Sequence, residues 1–218
     1  MAILKIENVS KQYENAESKA VDKCSLSIEE GAFISVEGMS GTGKSTLLMM
    51  AAGLLAPTEG KISCDGKDIY KLSDAKLSKW RASTVGYLYQ NVQFVQALTV
   101  KENMILSGKL GNNPYVNVDL IIKMLSLEKE ADKLPSHLSG GQKRRAMMGC
   151  VMAREPKLIL ADEPTNDLDA FWAEKIMNYL KAYTERGNAV VLVTHDKRWT
   201  SLATERYEIN EGHVKPLL

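Results

Sequence analysis

Nine residues, Gly38-Met39-Ser40-Gly41-Thr42-Gly43-Lys44-Ser45-Thr46, constrain this chain more than any other feature. They follow an apolar run at Phe33–Glu37 and open a helical periodicity over Lys44–Gly53, so the order is strand, glycine turn, helix. Glycines let successive amide N–H groups converge without Cβ obstruction, and the helix N-terminus adds aligned dipoles. Such a cradle suits phosphate. Lys44 is placed to reach β and γ phosphates, and the Ser45 hydroxyl to ligate Mg²⁺. A glycine-rich turn with no ligand is the competing reading. The spaced pattern alone arises by chance in roughly one chain per hundred of this length, and the flanking strand and helix lower that further.

Around this loop, short apolar runs predict strands at Ile3–Val9, Lys61–Asp65, Val85–Tyr89, Leu158–Asp162, Ala189–Thr194 and Glu205–Ile209. Helical spacing predicts helices at Val116–Ser126, Ser139–Ala153, Ala170–Arg186 and Lys197–Leu202. Alternating strands and helices argue for an α/β fold. Leu158–Ala161 and Val190–Val193 are wholly apolar, as central parallel strands are. The N-terminal third reads as strand-rich and hairpin-like, with turns near Gly31, Gly60 and Gly66, and residues 91–149 read as mainly helical. With no internal repeat or linker, that helical stretch is expected to be a lobe inserted into a single domain spanning 1–218.

Leu158-Ile159-Leu160-Ala161-Asp162-Glu163-Pro164 sets two carboxylates at the C-terminal end of an apolar strand, the edge where α/β sheets collect ligands. An acid there in a phosphate-loop protein holds Mg²⁺, which assigns Asp162 to the metal and leaves Glu163 to deprotonate the attacking water. Taken alone, Asp-Glu-Pro could simply end a strand and cap a turn.

The bulk numbers exclude other classes. Lys plus Arg total 28 against 27 Asp plus Glu, a net charge of +1, so no global field draws nucleic acid or anionic lipid. Cys24, Cys64 and Cys150 are odd in number and widely spaced, which predicts free, mostly buried thiols rather than a disulfide framework or zinc site. Leu47–Ala56, the longest uncharged apolar stretch, falls short of the ~20 residues a membrane helix needs. The N-terminus lacks a signal-peptide layout, so any service to a membrane is expected from outside the bilayer.

Leu138-Ser139-Gly140-Gly141-Gln142 opens a second helix with a hydroxyl and unobstructed amides. With this motif lying between the phosphate loop and the Asp-Glu strand, the sequence resembles the ATP-binding cassette family from Ile3 to about His213. The resemblance implies a RecA-like phosphate-loop core, an N-terminal antiparallel β subdomain and an inserted helical signature subdomain. It implies ATP and Mg²⁺ as ligands, ATP hydrolysis, and a head-to-tail dimer in which Ser139, Gly140, Gly141 and Gln142 complete the Gly38–Thr46 site of a second copy. Tyr13 matches the aromatic that stacks on adenine, whereas Gln90 matches the glutamine that touches Mg²⁺ and starts a coupling segment. His195 matches the histidine that contacts the γ-phosphate and holds the water, and Asp169 the aspartate that joins the two cassettes. His137 and His213 match nothing and are expected at the surface.

The sequence departs from the family pattern in three places: Asn166-Asp167 replaces a more usual Gly-Asn or Ser-Ala pair, Cys150 stands where arginine is common, and Tyr89 where phenylalanine is commoner. The basic triplet Lys143-Arg144-Arg145 reads as a solvated face. Pro57-Thr58-Glu59-Gly60 and Leu160–Thr165 are similar to cassettes of lipoprotein-release, macrolide-export and antimicrobial-peptide-resistance systems. That resemblance implies an integral membrane permease as partner, no nucleic acid, and a cytoplasmic position on the inner face of the membrane. Rival readings are a soluble cassette acting on DNA or ribosomes, which would carry long insertions, and a non-catalytic nucleotide sensor, against which Lys44, Asp162, Glu163 and His195 argue.

Overall fold

The computed structural model describes residues 1–91, 93–111 and 113–217. Strands β1 (Ala2–Lys11), β2 (Val21–Glu29), β4 (Glu59–Cys64) and β5 (Lys67–Asp68) form an antiparallel sheet in the order β2-β1-β4-β5. A second sheet holds β3 (Phe33–Glu37), β6 (Val85–Leu88), β7 (Leu158–Asp162), β8 (Ala189–Val193), β9 (Glu205–Asn210) and β10 (His213–Leu217). Its order is β10-β9-β3-β8-β7-β6, parallel throughout except for β10, which runs against β9.

Helices fill the connections: α1 (Lys44–Ala51), α2 (Asp74–Thr84), α3 (Val100–Leu110), α4 (Val118–Met124), α5 (Gly140–Arg154), α6 (Ala170–Thr184) and α7 (Lys197–Thr200). Helices α3 to α5 all fall between β6 and β7. No helix among the described residues is long and apolar enough to cross a membrane.

The central strands serve two cores at once. Side chains alternate across a strand, so Leu158, Leu160, Val191 and Val193 enter a core shared with α1 and the antiparallel sheet. Ile159, Ala161, Val190 and Leu192 enter the other, shared with α5 and α6. Every residue of β7 and β8 is buried, and each Leu or Val so placed stabilises the fold by about 1.5–3 kcal/mol.

Five elements lie outside the runs read from sequence, each for a local reason. In β2, Val21 and Cys24 are both buried although three residues apart, because Lys23 adopts φ +47° and slips the alternation. Strand β10 is an edge strand containing Pro216, with little buried surface to mark it. Helix α2 buries only Thr84 fully and so lacks an apolar stripe. Two-residue β5 is too short for a pattern, and α3 is marked chiefly by a Thr99–Glu102 capping box.

Of the glycine turns, Gly66 closes the β4–β5 hairpin, whereas Gly31 carries the chain from one sheet to the other. Gly60 is no turn but lies inside β4, beside a register slip between Glu7 and Ser10. The cysteines are all free. Cys24 is buried, but Cys64 and Cys150 are only half-buried.

Candidate active site

Four parallel strands deliver their C-terminal ends to one edge. The loop Gly38–Gly43 follows β3, Tyr89 and Gln90 follow β6, Asp162 ends β7 with Glu163 beyond it, and Thr194 and His195 follow β8. Of these, Gly38–Gly41, Gly43, Gln90, Asp162, Glu163 and His195 border a cavity of about 560 Å³ that also takes in Tyr13, Ala20 and Asn166, a size suited to a small organic ligand.

The loop holds its shape through conformations only glycine tolerates well. Gly43 caps α1 at φ +103°, and a Cβ there would lie 1.9 Å from the Ala20 carbonyl oxygen. Thr42 Oγ1 donates to the Met39 carbonyl at 2.8 Å, and Lys44 Nζ donates to the carbonyls of Gly38 and Met39 at 2.9 and 2.6 Å. The ammonium is therefore held over the mouth of the loop. Tyr13, just beyond β1 and 42% exposed, places its hydroxyl 3.1 Å from Thr46 Oγ1, which sets an aromatic ring beside the phosphate loop.

Ser45 Oγ donates to Asp162 Oδ2 at 2.6 Å. Asp162 is 4% exposed, and burial pushes its carboxyl up from the usual range while the Ser45 hydroxyl opposes the shift. A cation would relieve that burial. The described residues contain no cluster of three or more His, Cys, Asp or Glu able to hold a metal alone. One carboxylate, one hydroxyl and the Gln90 side chain in the same cavity fit Mg²⁺, which binds through few protein oxygens plus phosphate and water.

Glu163 is held from three directions. Its backbone sits in the left-handed region at φ +48°, fixed by donation of its N–H to the Val193 carbonyl at 2.9 Å. Oε1 accepts from His195 N at 3.2 Å and lies 2.8 Å from His195 Nδ1, and Oε2 accepts from Thr194 Oγ1 at 3.1 Å. Hydrogen bonding to Glu163, reinforced by its charge, raises the His195 pKa above the ordinary value. The imidazole itself remains 75% exposed, free to meet a ligand from the cavity side.

Ser139, Gly140, Gly141 and Gln142 do not border this cavity. They begin α5 in a capping box, with Ser139 Oγ accepting from Gln142 N at 3.3 Å and Gln142 Oε1 from Ser139 N at 2.8 Å. Asp169 lies outside the cavity as well, where Oδ1 accepts from Trp172 N at 2.9 Å and caps α6. Within one chain, the second glycine motif and the phosphate loop are therefore not joined into one site. His137 and His213 are exposed, as the sequence suggests.

Sequence reasoning passed over Thr194, whose hydroxyl orients Glu163, and it misread the basic triplet. Arg144 is 2% exposed, not solvated, and Arg145 donates to the carbonyls of Leu125 and Ser126 while its guanidinium stacks 4.4 Å from the Trp172 ring centre. The available signal was position: on a helix beginning at Gly140, residues 144, 147, 148 and 151 share one face, and the last three are apolar and buried.

Comparison with known proteins gives the same picture from outside. The family model described as "ABC transporter" matches residues 21–166. The lipoprotein-releasing system ATP-binding protein LolD of Aquifex aeolicus is 33% identical over 97% of this chain and 96% of its own length. The macrolide export ATP-binding/permease protein MacB of Mannheimia succiniciproducens is 31% identical over 98% of this chain, which spans only 34% of that relative. Among solved structures, the Methanocaldococcus jannaschii cassette MJ0796, described as a dimer in a post-hydrolysis state bound to ADP and Pi, superposes with a TM-score of 0.88 at 33% identity over 99% of both chains. A loop built for phosphate, a serine-capped second glycine motif and this near-complete likeness place the chain in the ABC transporter family, as one of its ATP-binding cassettes.

Proposed function

We propose that this cassette hydrolyses Mg-ATP between two copies of itself and so drives a membrane permease of the lipoprotein-release or macrolide-export type. The reading rests on one observation: Lys44, Asp162 and Glu163 border one cavity, and Ser139–Gln142 of the same chain do not. Under two-fold symmetry the motif of each copy can complete the cavity of the other.

In this reading the amides of Gly38–Thr46 hold the phosphates, Lys44 adds charge on the β and γ groups, and Tyr13 stacks on adenine. Ser45, Asp162 and Gln90 would hold Mg²⁺, which would supply positive charge against the phosphate oxygens. Glu163 takes a proton from water as its oxygen attacks the γ-phosphorus and the bond to the bridging oxygen of ADP breaks. Thr194 and the His195 backbone N–H keep the carboxylate aimed, and the His195 ring holds the water against the γ-phosphate. Asp169 joins the two copies.

Residues 91–149 act as a helical lobe. A groove of about 470 Å³ between β6 and helices α3 and α5, with Tyr89, Phe94 and Leu106 on its walls, receives the permease. This puts the cassette on the cytoplasmic face of the membrane, held there by its partner. That LolD is part of a lipoprotein-releasing system and MacB is a macrolide export protein supports this transporter class. The test is sedimentation of Glu163→Gln with saturating Mg-ATP, alone and beside the permease. A dimer that disperses on chelation is expected. A variant that stays single in both settings overturns the proposal.

A further inference from the structure

Arg144 sits in the second turn of α5 with almost no exposed surface. A guanidinium so buried needs acceptors for its donors, since an unpaired buried charge is costly. Its acceptors are backbone carbonyls from two different loops. Nη1 donates to Tyr89 O at 2.6 Å and Nη2 to Gln90 O at 2.8 Å, while Nε donates to Asn166 O at 3.3 Å. The Asp167 carboxylate lies 3.7 Å from Nη2. Among the described residues no other side chain donates to these three carbonyls.

The start of the same helix presses on the second loop. A Cβ added at Gly140 would lie 3.2 Å from Asp167 Cβ, and one at Gly141 only 2.9 Å from the Asp167 carbonyl oxygen. The metal-side loop at Gln90, the loop at Asn166–Asp167 and the serine-capped helix start thus meet at one planar fork. Arginine alone among side chains offers five donors in that rigid plane, and lysine cannot span the same acceptors.

We infer that Arg144 is a positioning residue that locks Gln90, Asn166–Asp167 and the Ser139–Gly141 helix start into one rigid unit, so that nucleotide held in a chain's own cavity is coupled to the nucleotide its α5 engages on a second copy. This rests on the paired-cassette reading above. A shift of the Gln90 backbone toward metal or phosphate has to carry the guanidinium with it, and the guanidinium carries α5. Loss of the fork should leave one chain's own cavity intact while uncoupling the two sites.

The test uses Arg144→Lys and Arg144→Gln, each alone and combined with Glu163→Gln, with Lys143→Gln as a neighbouring basic control. ADP affinity of the single chain should stay within about twofold of wild type. The Mg-ATP concentration for half-maximal dimerisation should rise by about tenfold or more, within the range usual for coupling between sites. The Hill coefficient of hydrolysis should fall toward one. Lys143→Gln should change none of these.

Hydrogen exchange on Glu163→Gln with Arg144 intact gives a second measure that needs no change at Arg144. Amides of 89–91, 139–145 and 165–168 should gain protection together, at one Mg-ATP concentration. Folded Arg144 variants that dimerise and cooperate like wild type, or three segments protected at separate concentrations, overturn the inference. If Glu163→Gln stays single with Arg144 intact, the paired reading fails first and this one falls with it.

Discussion

Replacing Glu163 with glutamine separates holding the water from taking its proton. In the wild type Oε1 faces His195 N and Nδ1 at 3.2 and 2.8 Å, and Oε2 accepts from Thr194 Oγ1 at 3.1 Å. In the variant the remaining carbonyl oxygen can keep the His195 contacts. The new amide nitrogen then faces Thr194, whose hydroxyl has a lone pair to accept from it. Geometry survives, so folding stability should change by no more than about 1 kcal/mol, the net worth of one hydrogen bond. An amide cannot take up a proton, however, and general-base catalysis contributes about 10²–10⁴ in rate. The barrier should rise by about 3–5 kcal/mol, at 1.36 kcal/mol per tenfold. Phosphate release at saturating Mg-ATP measures kcat, and equilibrium nucleotide binding measures what is retained. A folded variant with kcat within about threefold of wild type would show that Glu163 is not the base.

Two further outcomes follow from the same geometry. Gly43→Ala forces an L side chain to φ +103° and drives Cβ toward the Ala20 carbonyl, so unfolding in urea should show a loss of about 2 kcal/mol or more together with weakened nucleotide binding, and an unchanged midpoint would contradict the strain argument. His195 has a pKa raised above its ordinary 6.5 by the Glu163 carboxylate, so the ion pair is fully present below 6.5 and is lost as pH rises through the raised value; kcat should climb across that window as Glu163 is freed, and His195→Gln should flatten the climb. Because the ring is largely exposed, solvent screens the pair and its share of folding stability should be small.

Much of this was legible because the informative segments are the ones whose local and tertiary demands agree. The run Leu158–Asp162 is apolar because both faces of β7 are covered, and its acidic end stands out because the strand tip leaves that core for the cavity, where Asp162 meets Ser45. The glycine loop is legible for a similar reason, since few other residues fit its backbone. Helix α2 and strand β10 escaped notice because neither buries enough surface to impose a period. Arg144 was misread for a different reason: charge in sequence normally means water, and nothing nearby in the chain reveals that loops 55, 54 and 22 residues away bring carbonyls to meet it. Thr194 likewise owes its role to Glu163, which is 31 residues distant.

The register of the parallel strands has a consequence for how this enzyme should wear out. Leu88 pairs with Ala161, Ala161 with Leu192 and Asp162 with Val193, so Asp162, Glu163 and His195 are indexed against one another by the ladder alone. Strands stand about 4.8 Å apart, and a slip of one residue would turn Asp162 to the opposite face of the sheet. What guards the ladder is the apolar filling of β7 and β8, none of whose Leu, Ile, Val or Ala side chains lines the cavity. Small erosions of that filling should therefore be felt as misaligned chemistry well before they are felt as unfolding.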